Sequence, residues 1–259
     1  MNNFVFKTIT LASSRNKTME IAATYLDQVV NERRSIRAYT DEPVENEAVV
    51  RSIERALLAP NSSNLQLWEF YRVKSADKLK ELATYCLGQK AATTAKEMLV
   101  VVVRRDHWKD HAHKILADSK SRFPENPGKR EKLVVDYYSK VVPTMYSTDP
   151  LDVIGVGKKM LAHGVGLFRP VPREVAASDV RVIVHKSAAL AAQTFMLSMK
   201  AEGYDTCPME GFDSVRVKKM LHLPAAAEIN MIISYGKARP DGIYGPRFRI
   251  PTSEVVFEI

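Results

Sequence analysis

The chain has 259 residues, 46% hydrophobic and 26% charged, with 38 basic and 30 acidic residues and a formal net charge of +8. That length buries a sizeable core, and the composition is that of a soluble globular protein. No apolar run approaches the roughly 18–20 residues a membrane helix needs, and Cys86 and Cys207 are too far apart for a zinc motif or a disulfide framework.

Cysteine usage fits a reducing, cytoplasmic setting. Acidic residues are scattered among the basic ones, with no long basic run, so nucleic-acid binding is only a minor hypothesis. Residues 1–18 read as an N-terminal extension and not a signal peptide, because Lys7 interrupts the apolar part. Ile21, Tyr25, Leu26, Val29 and Val30 then recur at helical spacing over 19–32, and the helix should end near Arg33–Ser35. A second helix is expected over 45–58, with Val49, Val50, Ile53, Leu57 and Leu58 on one face, between the boundaries Pro43 and Pro60.

A polar loop, Asn61–Asn64, precedes a strand at Trp68–Val73. Leu65, Leu67 and Trp68 should bury and hold that loop against the body. Ser75 can cap a helix running to about Cys86. A short helix at 91–97 should lead into Met98–Val103, whose unbroken apolar character points to a central strand buried on both faces. Helical patterns recur near 110–121, 129–141 and 151–163. The aromatic and Met residues of 105–180 suit either ordinary helix packing or the wall of a substrate pocket.

The run VRVIV at 180–184 reads as a strand, followed by a helix over 187–202 that Gly203 can end. The stretch TCPMEGF reads as a loop, followed by a helix at 213–222 and a strand at 229–235. The final VVFEI reads as a short strand without an assignable neighbour. Long helices mixed with such strands give an α+β fold around one sheet.

Two stretches carry paired arginines. NERRSIRAYTDEPV clusters Arg33, Arg34, Ser35 and Arg37 at a helix end. Arg33 and Arg37 share a face if the helix persists; if it breaks, the chain can wrap an anion. In PRFRIP, Arg247 and Arg249 point to one side of an extended segment flanked by Pro246 and Pro251. Guanidinium pairs of this kind suit a phosphate. Asn61, Ser62, Ser63, Asn64 and Gln66 can hydrogen-bond polar ring edges or sugar hydroxyls. Gly211 permits close backbone approach to a flat ligand, with Glu210 the carboxylate beside it. There is no Walker or Rossmann fingerprint and no G-x-S-x-G elbow. His107, His111 and His113 read as solvated helix surface, so no metal site is expected.

Taken together, ERRSIR, APNSSNLQLW, PMEGFD and the late R-x-R resemble, in order and spacing, the nitroreductase family of flavin enzymes. The resemblance covers roughly 19–104 and 180–259. It implies a nitroreductase-like α+β fold, with a central mixed or antiparallel sheet flanked by helices. It also implies one FMN-binding domain over 19–259 with a variable helical insertion at about 105–180, in an intertwined homodimer with FMN at the interface. Arg33, Arg34, Arg247 and Arg249 would face the phosphate, with Ser35 in the same segment and Arg37 on the N1/O2 side of the ring. Pro60, Asn61, Ser62 and Asn64 would reach the FMN of the other subunit, and Gln66 would lie near the ring and ribityl chain. Glu210 and Gly211 would sit by the reactive edge. One departure stands out: the family's ring-holding Asn and Lys would fall at Gly88 and Ala91, leaving Lys90 as the candidate substitute.

The implied activity is NAD(P)H-driven reduction of nitroaromatics, quinones or related small acceptors by ping-pong hydride transfer. The alternatives are a dehalogenase, ene-reductase or dehydrogenase of the same family, or a flavin-binding protein with little turnover. No membrane partner is expected.

Overall fold

The computed structural model describes residues 19–149 and 152–259. The expected extension at 1–18 lies outside the described residues. The first described helix, α1 (19–32), leads to α2 (Asn46–Leu57), a 3-10 turn (Ser62–Asn64) and strand β1 (Trp68–Val73). Helices α3 (Ala76–Tyr85) and α4 (Lys90–Thr93) precede β2 (Glu97–Val103). Then come α5 (Trp108–Ser121), α6 (Lys129–Asp136), a π-helical turn (Tyr137–Val141), α7 (Val142–Tyr146) and α8 (Val153–Val165). The chain continues through α9 (Ala177–Ala201), β3 (Asp205–Met209), α10 (Ser214–Met220) and β4 (Glu228–Gly236).

The strands form one antiparallel sheet in the order β1-β2-β4-β3. Every residue of β2 is buried. Because side chains alternate across a strand, β2 supplies both cores. Leu99, Val101 and Val103 join α9 residues such as Ala188, Ala192 and Phe195 on one face. Met98, Val100 and Val102 join Leu82, Cys86, Ala91, Val217 and Met220 on the other. The continuous apolar run thus marks a central strand covered on both faces, as expected.

Several local expectations fail for identifiable reasons. Residues 180–184 belong to helix α9. Val180, Val184, Ala188, Ala191, Ala192 and Phe195 are buried at helical spacing along it, so packing against the sheet overrides the strand preference of the valines. The first part of TCPMEGF is strand β3, zipped to β4 from Asp205 to Met209. On α2 the buried face is Ala48, Val49, Ser52 and Ala56, which packs on α9; Val50, Leu57 and Leu58 are exposed. The short helix before β2 ends at Thr93. Ser75 occupies the start of α3, but its side chain makes no cap hydrogen bond. Residues 255–259 form no strand within the chain and lie exposed.

Candidate functional site

Helix α1 stops before its arginines. Arg33 N still donates to Val29 O, but from Ser35 onward the chain runs extended beside β3. Ile36 N donates to Thr206 O and Arg37 N to Gly242 O. Ile36, Ala38 and Tyr39 are buried, while Arg37 remains partly exposed. Gly242 is required here, since a Cβ would lie 2.8 Å from Ile36 Cγ2 and 2.9 Å from Ala38 O. The helix therefore breaks, Arg33 and Arg37 do not share a helical face, and the segment wraps.

Residues 246–249 close over this turn. Arg247 Nη2 donates to Arg33 O (2.6 Å) and Arg34 Nη2 to Gly245 O (2.7 Å). The result is a pocket of about 190 Å³ lined by Arg33, Arg34, Ser35, Arg37 and residues 246–249. Its lining contains no carboxylate. Among the described residues, none of its five arginines makes an ion pair. Burial pulls the Arg33 guanidinium below its ordinary value, and the charges of Arg247, Arg249 and Arg34 pull it further. Arg37 stacks on Tyr244, its Cζ 4.9 Å from the ring centroid. Crowded guanidinium groups without counter-ions are matched by an oxyanion carrying several acceptors.

Glu210 and Gly211 follow β3 and are exposed. Gln89, which sequence reasoning missed, donates from Nε2 to Gly211 O (2.7 Å) and to Cys86 O (3.0 Å). A Cβ at Gly211 would make only ordinary contact with Gln89, so nothing inside the chain forces glycine there. Lys90 Nζ is paired with Asp241 Oδ2 at 2.7 Å, and Arg239 holds both oxygens of that carboxylate. Lys90 thereby ties α4 to the 237–242 segment, whose Gly242 carbonyl accepts from Arg37. Gly88 has φ +65°, a conformation glycine tolerates, and Ala91 is buried in the core.

The loop after Pro60 is built differently from a solvated turn. Ser63, Asn64 and Gln66 have φ of 55°, 53° and 50°, a left-handed path for three side-chain-bearing residues. Asn61 Oδ1 accepts from Gln66 N (2.8 Å), and Gln66 Nε2 donates to Asn64 O (3.1 Å). Leu65, Leu67 and Trp68 are buried, as expected. Groups from distant elements fix the outside. Tyr146 OH donates to Ser62 Oγ (2.9 Å), Tyr138 OH to Ser63 O (3.0 Å), and Tyr137 OH lies 2.8 Å from Ser63 Oγ. His111 Nδ1 is 2.7 Å from Leu65 O. His111 is therefore a partly buried anchor and not plain solvated surface, whereas His113 is exposed. No residue of 61–66 lines the arginine pocket, so a single chain unites the first and last arginine motifs but not the second motif with them.

Among the described residues, no group of three or more His, Cys, Asp or Glu could hold a metal ion. No described helix is long and apolar enough to cross a membrane.

The sequence model of the nitroreductase family matches residues 30–135 and 167–237. MhqN of Bacillus subtilis (strain 168), a protein named for an NAD(P)H nitroreductase activity, is 26% identical over 234 residues, covering 88% of this chain and 96% of MhqN. The structure of ydfN from Bacillus subtilis superposes with a TM-score of 0.70 at 24% identity, over 90% of this chain and 98% of that one. A protein of Exiguobacterium sibiricum 255-15, solved in complex with FMN, has a TM-score of 0.61 at 22% identity, over 90% and 97% of the two chains. The fold is that of these proteins: α+β, with the antiparallel sheet described above.

Proposed function

This chain belongs to the nitroreductase family, and from that premise we propose that it is an FMN-dependent oxidoreductase. It draws on NAD(P)H to reduce nitroaromatics, quinones or related small acceptors. The observation that carries this reading is the arginine pocket, where five arginines and no carboxylate line a space of about 190 Å³. A phosphate monoester supplies the charge and the acceptor oxygens that this donor set lacks.

In this reading Arg33, Arg34, Arg247 and Arg249 hold the phosphate, and Ser35 offers a further donor. Arg37, steadied against Tyr244, places positive charge beside the pyrimidine side of the ring, where charge builds up on reduction. Glu210 and Gly211 border the reacting edge, with Gln89 fixing the Gly211 carbonyl. FMN, when bound, supplies the exchange of hydride between nicotinamide and acceptor. The protein's part is to bind, orient and charge the site.

A homodimer completes the site. Helix α1 leaves Ile21, Tyr25, Leu26 and Val30 exposed, and the tail leaves Phe248, Val255, Val256 and Phe257 exposed. So much apolar surface on two flanking segments suits a second copy of the chain. Pro60, Asn61, Ser62, Asn64 and Gln66 then serve the cofactor of the second subunit, which explains why they stand apart from the arginine pocket. Residues 19–259 act as one cofactor-binding unit in the cytoplasm. Titration of apoprotein with FMN tests the reading: saturable flavin binding at one FMN per chain is expected, and absence of binding would overturn it.

A further inference from the structure

We infer that Tyr137 and Tyr138 are positioning residues that clamp Ser63 in its left-handed conformation and thereby set the path of the 61–66 loop. What that loop faces, a cofactor, rests on the function proposed above; the clamp itself rests on geometry alone. Ser63 is the first of three residues within four positions that adopt positive φ without being glycine. A Cβ makes that conformation unfavourable, so it persists only where the surroundings over-determine it.

The two phenols do so at one residue. Tyr138 OH donates to the Ser63 carbonyl and Tyr137 OH meets its hydroxyl, at 3.0 Å and 2.8 Å. Consecutive side chains of an α-helix diverge by about 100° and do not ordinarily meet one target. Here the helix widens into a π turn at Tyr137–Val141, so consecutive side chains diverge less. The two rings pack edge to face, with centroids 5.2 Å apart and planes at 89°. Tyr146, on the next helix, extends the same contact to Ser62. All three tyrosines lie within 136–166, the stretch between the two blocks that match the family. The insertion therefore does more than wall a pocket: it holds a loop of the family-matched body in shape.

The test compares the full-length apoprotein with the Tyr137→Phe/Tyr138→Phe variant, which keeps both rings and removes both hydroxyls, and with the same variant carrying Ser63→Gly. Amide hydrogen exchange is followed across the chain. Exchange in 61–67 should quicken by about tenfold or more in the double variant, while peptides from β2 and α9 stay unchanged. Glycine takes the left-handed conformation without steric cost, so Ser63→Gly should restore most of the lost protection. FMN affinity should fall on the order of tenfold in the double variant and recover with Ser63→Gly. Unchanged exchange in 61–67, a uniform rise across the chain, or failure of Ser63→Gly to rescue would each overturn the clamp. A wild-type protein that does not bind FMN would remove the proposed function, and the exchange data would still decide the clamp.

Discussion

Replacing both late arginines, Arg247→Ala with Arg249→Ala, should separate cofactor binding from folding. Each removes a guanidinium from the pocket, and Arg247 also loses its bond to the Arg33 carbonyl. A hydrogen bond to a charged group contributes about 1.5–3 kcal/mol. Both residues are exposed, so screening places them at or below the lower end, and the pair together contributes about 2–3 kcal/mol to phosphate binding. FMN should then bind roughly 30–150-fold more weakly. Riboflavin, which lacks the phosphate, should bind the variant and the wild type alike. Without ligand the variant should melt close to wild type, because the lost Arg247 bond to the Arg33 carbonyl is offset by removal of the charges that disfavour Arg33. Quenching of flavin fluorescence during titration measures both affinities. A variant that keeps the wild-type preference for FMN over riboflavin would refute the phosphate assignment.

Three further outcomes follow from other parts of the molecule. Tyr25→Asp with Leu26→Asp puts charge on the exposed face of α1 and should shift the protein from dimer to monomer in sedimentation; an unchanged dimer would exclude that face from the interface. Asn64→Ala should weaken FMN binding several-fold in the dimer, measured by the same titration, and unchanged affinity would remove Asn64 from the site. Hydrogen bonds from Arg51, and then from Arg55, hold the Glu202 carboxyl down to about 2. A carboxyl depressed in the folded state stabilises above its unfolded value near 4.5 and loses that contribution as pH falls towards 2. Glu202→Gln should therefore lower stability by about 1 kcal/mol at neutral pH, after allowance for exposed partners, and by progressively less in acid. Urea melts at pH 7 and pH 3.5 would show it, and equal losses at both would contradict the assignment.

The sequence disclosed what short range determines. The apolar run ending at Val103 pointed to a strand covered on both faces, and β2 is that strand. The arginine pairs are legible because chemistry and spacing meet in a few residues, and the fold brings 33–37 and 247–249 into one pocket. Valines at 180–184 misled because a five-residue window favours a strand, whereas their burial is set by a helix that runs to Ala201. The tyrosine clamp was invisible for a related reason. Its hydrogen bonds join residues 74 to 84 positions apart, and the π turn that aims two of them leaves no local signature. Gln89 was likewise an ordinary polar residue until the fold brought it against Gly211, 122 positions away in the sequence. The exposed tail, read as a strand, pairs with nothing in its own chain. In the proposed homodimer its exposed apolar residues would face the second copy.

The most direct measurement is the absorbance spectrum of the purified protein, reconstituted with FMN where needed, before and after NADH or NADPH is added without oxygen. A yellow protein whose flavin band bleaches with either nucleotide is the predicted result. A protein that stays colourless and takes up no FMN would contradict the arginine pocket as a phosphate site and the proposed oxidoreductase with it.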